Sequence, residues 1–269
     1  MINRLRDVMT SVFPTLEQQF DYSSHKGALI LLTEYASPKR LRRLGETRLS
    51  QWLRRRQVRD AARVAARDAH GGESRIRAAR FPGRKTLEEF DFDHARGLKR
   101  DLILHLGTLD FVTAKENVIF LGPPGTGKTH LATGLGIRAC QAGHRVLFAT
   151  ASQWVDRLAD AHNAGRLQTE LIRLARYPLL VVDEVGYIPF EAEAANLFFQ
   201  LVASRYEHAS LIVTSNQQFG RWGEVFGDDV VAAAMIDRLV HHADVIALKG
   251  DSYRLRNRDL GRVPTADPH

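Results

Sequence analysis

Residues 122–129 read Gly122-Pro123-Pro124-Gly125-Thr126-Gly127-Lys128-Thr129, the spacing G-x-x-x-x-G-K-T. The glycines let consecutive N–H groups turn inward around an anion. Lys128 brings a point charge to β- and γ-phosphates, and the Thr129 hydroxyl suits Mg²⁺. An apolar run over 118–121 predicts a strand before this loop, and 128–142 predicts a helix after it. The helix points its positive dipole end at the same anion. The expected ligand is a nucleoside triphosphate with Mg²⁺.

A second run, Leu179-Leu180-Val181-Val182-Asp183-Glu184, closes four apolar residues with two carboxylates. Asp183 suits the Mg²⁺ shell, directly or through water, and Glu184 can polarise the water that attacks a γ-phosphate. A third, Leu211-Ile212-Val213-Thr214-Ser215-Asn216, ends in small polar residues. If its strand lies between the other two, Asn216 reaches the γ-phosphate; otherwise it closes an Asx turn. Phosphoryl transfer rests on charge stabilisation, so Arg238 and Arg254 are further candidates. Either could instead be a surface salt-bridge arginine, the commonest fate of that residue.

Positioning these groups needs a sheet. Strands are expected over 117–121, 146–150, 179–182, 211–214 and 245–248, and helices over 128–142, 152–164, 167–175, 191–207 and 229–242. Several of the strands are continuously apolar, as when helices cover both faces. From about residue 86 the alternation predicts an α/β fold with a doubly wound parallel five-stranded sheet, the ligand lying at the carboxyl ends of its strands.

Charge is distributed unevenly. Residues 1–100 carry 22 Lys+Arg against 12 Asp+Glu, whereas 101–269 carry 16 against 19. The excess peaks in 39–85, with 16 basic and 4 acidic residues. Such an extension is an electrostatic footprint for nucleic acid. Ser37-Pro38 starts a helix, Leu49, Trp52 and Leu53 recur at helical spacing, and His70-Gly71-Gly72 breaks the pattern. The expected organisation is a basic helical segment over 1–70, a basic linker over 71–85 and a phosphate-binding domain over 86–269. The single cysteine, Cys140, excludes an internal disulfide and reads as a core thiol. The absence of an 18-residue apolar run and of a signal-peptide apolar centre predicts a cytoplasmic protein that makes no membrane contact. His241-His242 and the other histidines show no metal-ligand spacing, so no metal is expected beyond nucleotide-bound Mg²⁺.

Taken with Lys85-Thr86-Leu87-Glu88-Glu89-Phe90-Asp91-Phe92, Ser204-Arg205-Tyr206-Glu207, Trp222-Gly223-Glu224-Val225-Phe226-Gly227 and Gly250-Asp251-Ser252-Tyr253-Arg254-Leu255-Arg256, these motifs resemble the IstB-like ATP-binding proteins. These are AAA+ P-loop ATPases that assist insertion-sequence transposases and are related to the helicase loader DnaC. The resemblance spans roughly residues 75–260. It implies ATP as the nucleotide, a homo-oligomer formed with ATP on double-stranded DNA, and a transposase as partner. It matches Lys128 and Thr129 to the Walker A pair, Asp183 and Glu184 to Walker B, and Asn216 to sensor 1. Arg238 matches a trans-acting arginine finger and Arg254 matches sensor 2, with Arg205 a second inter-subunit candidate. Residues 1 to about 68 instead resemble a middle segment of a DEDD-type insertion-sequence transposase. The expected activity is a DNA-stimulated ATPase that helps transposition. A DnaC-like helicase loader in DNA replication, or an inactive fusion remnant, are the alternative readings.

Overall fold

A computed structural model describes residues 71–95, 97–250, 252 and 253, with Gln51, Arg54 and Arg55 as isolated helical positions. The remainder of the basic segment, and Arg254 with all that follows it, lie outside the described residues.

Five strands form one sheet in the order β2-β3-β4-β1-β5: β1 (Asn117–Leu121), β2 (Val146–Thr150), β3 (Leu179–Val185), β4 (Ser210–Ser215) and β5 (Ala243–Ala247). All pairings are parallel. β1 and β4 are buried along their whole length, and β3 everywhere except Glu184. This explains their unbroken apolar runs, because helices cover both faces. Asn117 pins the start of β1: its Nδ2 donates to Leu239 O (3.0 Å) and its Oδ1 accepts from Leu211 N (2.9 Å). The order places β4 between β1 and β3, the condition set above for Asn216.

The helices are α1 (Arg100–Leu106), α2 (Asp110–Ala114), α3 (Lys128–Gln141), α4 (Ala151–Asn163), α5 (Leu167–Ala175), α6 (Ala192–Arg205), α7 (Trp222–Phe226) and α8 (Asp229–Val240). Thr150 caps α4 through a reciprocal pair with Gln153. Asp228 caps α8 by accepting from the N–H groups of Val230 and Val231. Behind the sheet, Trp154 is fully buried, and its Nε1 donates to Val181 O at 3.0 Å.

Two expectations need correction. The strand–helix alternation begins at Asn117, not near residue 86; residues 86–116 hold a 3₁₀ turn (Leu87–Glu89), α1 and α2. Leu102, Ile103 and Leu106 recur at helical spacing there, and Ile103 and Leu106 are buried. Likewise the stretch read as a linker over 71–85 is helical over 71–78. Arg75 Nε donates to Cys140 O at 2.8 Å, and Gly72 is buried. Those contacts outweigh glycine's helix penalty of roughly 1 kcal/mol. The chain divides into two compact units, one comprising residues up to Ala79 with Ala139–Arg145, the other Arg80–Arg138 with the residues from Val146 onward. Cys140 is buried in the first. Among the described residues no helix is long and apolar enough to cross a membrane.

Candidate nucleotide site

The phosphate loop runs from the end of β1 into α3. Gly125 and Gly127 have φ of +83° and +96°, which side-chain-bearing residues rarely adopt. A methyl group at Gly127 would also sit 2.6 Å from Phe90 Cε2. Thr126 Oγ1 donates to Pro123 O at 2.8 Å and tightens the turn. Lys128 is 8% exposed, and its Nζ donates to Gly122 O (2.6 Å) and Pro123 O (2.8 Å).

The decisive contact joins motifs far apart in sequence. Thr129 Oγ1 donates to Asp183 Oδ1 at 3.0 Å. Thr214 Oγ1 donates to the same oxygen at 2.5 Å while accepting the Glu184 N–H at 3.0 Å. One carboxylate oxygen thus links the ends of β3 and β4 to the first turn of α3. Asp183 is 3% exposed. Burial pushes its carboxyl above the usual carboxylate range, opposed by the two threonine hydroxyls, the Lys128 charge and the Glu184 N–H.

Asp183 and Glu184 have opposite fates because β3 carries a bulge. Val182 pairs with Val213, yet Val185 pairs with Ser215, so β3 inserts an extra residue. Glu184 takes it up at φ +63° and is exposed, while Asp183 and Val185 stay buried. A non-glycine residue held there costs on the order of 1–3 kcal/mol, which marks a position over-determined by its surroundings.

At the end of β4, Ser215 O accepts the Gly122 N–H at 3.1 Å, which sets Asn216 beside the loop. Asn216 Oδ1 is buried without a hydrogen-bond partner among the described residues. A buried acceptor left so is costly unless a water or ligand satisfies it. The glycine cradle, the Thr129–Asp183 pair and this acceptor therefore fit a triphosphate. Thr129 and Asp183 are the oxygen donors that would hold its Mg²⁺.

Residues 45–261 match the family of IstB-like ATP binding proteins. The chain belongs to that family. Curated relatives include the IS21 putative ATP-binding protein of Pseudomonas aeruginosa, 49% identical over 74% of this chain and 75% of the relative. Another is the IS5376 putative ATP-binding protein of Geobacillus stearothermophilus, 43% identical over 74% of this chain and 79% of the relative. The fold is similar to that of AMPPCP-bound DnaA from Aquifex aeolicus, with TM-score 0.52 and 20% identity over 65% of this chain and 54% of that one. Together with the family match, this is the AAA+ P-loop fold. The family match begins at residue 45, so it includes 45–68, part of the stretch expected to resemble a transposase segment.

Other residues of this IstB-like chain sort differently. Arg238 is half-buried near the end of α8, where its Nη1 donates to Ala234 O (2.9 Å) and its guanidinium lies 4.8 Å from the centroid of the Phe199 ring. Among the described residues its recorded partners are thus α6 and α8 residues, not the phosphate loop. Arg254 lies outside the described residues, but its two predecessors touch the loop. Tyr253 N donates to Gly125 O at 3.0 Å, and Ser252 fills the space that a Gly125 side chain would need.

The structure removes Arg205 as an inter-subunit candidate. It is 2% exposed and donates to the carbonyls of Leu174 (3.2 Å), Tyr177 (2.8 Å) and Ser210 (3.0 Å). Burial lowers its pKa to about 10, which leaves it charged at neutral pH. Arg205→Ala strips two buried carbonyls and one half-buried carbonyl of their donor and is expected to destabilise the domain by about 3–5 kcal/mol. Thermal unfolding measures this, and an unchanged melting temperature would contradict the structural role.

Sequence reading attached no role to the aromatic wall beside the loop. A cavity of about 150 Å³ is bounded by the loop and by Phe90, His94, His130 and Tyr253. Phe90 meets Phe92 and His130 edge-on, His94 meets Tyr253 edge-on, and a His130 Nε2···Thr86 O contact (2.8 Å) closes one side. The Lys85–Phe92 motif was the available signal. A larger cavity of about 760 Å³ lies between α4 and α5. Its four arginines face three carboxylates, and Glu170 pairs with both Arg157 and Arg173. It contains no part of the phosphate loop, whereas the smaller cavity is lined by Gly125, Thr126, Gly127, Lys128 and Thr129.

Asp183→Asn supplies a sign test. A raised folded-state pKa means that ionised Asp183 opposes folding: the group's contribution is favourable below its unfolded pKa and is lost as pH rises through the folded one. Asparagine keeps an acceptor for both threonines without the charge. At neutral pH the nucleotide-free variant is expected to melt higher than the parent. The gain should shrink as pH falls through the Asp183 pKa. Melting curves at several pH values check this, and a lower melting temperature at neutral pH contradicts it.

Proposed function

We propose that the chain is a DNA-stimulated AAA+ ATPase that assists transposition of an insertion sequence. The observation that carries the chemical part is the convergence of Thr129 and Thr214 on Asp183, with Glu184 held out of the strand beside them. Lys128 and the loop amides bind the β- and γ-phosphates, and the aromatic wall of Phe90 and Tyr253 faces the base. Thr129 and Asp183 would hold Mg²⁺, which would supply neutralisation of the charge that develops on the phosphates. Glu184 orients and deprotonates the attacking water, and Asn216 fixes that water's position. Arg238 acts in trans, which accords with its lying away from its own loop; Arg254 acts as sensor 2. Belonging to a family of insertion-sequence ATP-binding proteins supports the helper role. The partners on this reading are double-stranded DNA, further copies of the chain and the element's transposase.

The test is ATP turnover by the full chain with and without duplex DNA, at low and raised salt. Turnover should rise with DNA, and the increment should decline as salt increases, because phosphate contacts release counterions. Hydrolysis that is flat with respect to DNA at low salt overturns the DNA-dependent part. An absence of hydrolysis in all conditions favours the inactive remnant.

A further inference from the structure

Outside the nucleotide site, Glu207, His241 and His242 each present one ligand-type atom, and these atoms lie within 4.8 Å of one another. The residues come from two places. Glu207 follows the end of α6, and the two histidines join α8 to β5. Their backbones are fixed on both sides. Ala209 N donates to Arg205 O (3.0 Å), His241 N donates to Asp237 O (3.1 Å), and His242 O accepts the Asn117 N–H (2.7 Å). Glu207 is held at φ +58°. The two imidazoles stand 4.2 Å apart between ring centroids, tilted by 44°. Tyr206 Oη lies 2.6 Å from His241 Nδ1.

We propose that Glu207, His241 and His242 form a binding site for a borderline divalent transition metal of the zinc class. Two imidazole nitrogens and one carboxylate oxygen are the donor set of Zn²⁺, Co²⁺ or Ni²⁺, whereas Mg²⁺ prefers an all-oxygen shell. The site is therefore chemically distinct from the one that serves the nucleotide. Donors around a tetrahedral Zn²⁺ lie about 3.3 Å apart at ordinary bond lengths. Exposed side chains on anchored backbone can close the remaining distance by rotation about their own bonds. The contact at Nδ1 leaves Nε2 of His241 as the ligating atom, with Tyr206 orienting the ring as a positioning residue. Three protein ligands leave a fourth position open to water or to a group from another molecule.

The test uses tag-free full-length protein and Co²⁺ as a spectroscopic probe. Stoichiometric Co²⁺ should give the visible absorption of a tetrahedral centre, displaced by Zn²⁺ and unaffected by excess Mg²⁺. The His241→Ala/His242→Ala double variant should lose the band. Glu207→Gln and Tyr206→Phe should each weaken binding by about 10–100-fold. Because the three proposed ligands are exposed, melting of the metal-free variants should match the parent and so separate loss of ligands from loss of fold. No band in the parent, or a band undiminished in the double variant, overturns the site. Unchanged affinity in Tyr206→Phe overturns the positioning role of that residue.

Discussion

Glu184→Gln is expected to bind ATP with the parent's affinity and to hydrolyse it about 10²–10⁴-fold more slowly, the usual contribution of a positioned general base. Glutamine has the same shape and cannot take a proton. The backbone that presents this residue does not depend on the side chain: the bulge between Val182 and Val185 and the bond from Glu184 N to Thr214 Oγ1 are main-chain features. Asp183 and both threonines stay in place, so phosphate and Mg²⁺ binding are untouched. Single-turnover hydrolysis alongside equilibrium nucleotide binding separates the two effects. Normal turnover in this variant would remove Glu184 from the reaction, and a parallel loss of affinity would show that the bulge had collapsed.

Lys128→Ala should fail one step earlier. The ammonium is almost wholly enclosed and lies on the carbonyls of Gly122 and Pro123, within the loop whose amides face the phosphates. Charged hydrogen bonds contribute about 1.5–3 kcal/mol each, so losing two to phosphate oxygens costs about 3–6 kcal/mol of binding. That corresponds to at least a 100-fold weaker dissociation constant. Titration with a fluorescent ATP analogue reads it directly. Retained tight binding would mean that the loop amides suffice and that Lys128 holds only its own turn together.

The parts legible in sequence were those with local causes. The G-x-x-x-x-G-K-T spacing, the apolar runs of β1, β3 and β4 and the helix after the loop each follow from residues close together in the chain. The family motifs likewise place the fold in the AAA+ class, and the family match supports that reading. What escaped has non-local causes. That Asp183 is enclosed and Glu184 expelled depends on how β3 registers against β4, a matter of two strands about 30 residues apart. Arg205 reads as a surface arginine until carbonyls from Leu174, Tyr177 and Ser210 surround it. Glu207 and the histidine pair are separated by 34 positions or more in sequence, so no spacing rule brings them together. The helices at Arg100–Leu106 and Asp110–Ala114 are too short for periodicity to announce, and left-handed residues at Leu109 and Lys115 bracket the second of them.

The phosphate loop is gripped from two directions: Phe90 lies against Gly127, and Ser252 with Tyr253 lies against Gly125. These residues flank the domain's sheet in sequence, one before its first strand and the others after its last. The loop is therefore a clasp joining the two ends of the ATP-binding fold. A triphosphate seated in the loop would lie against residues from before the first strand and after the last one at the same time.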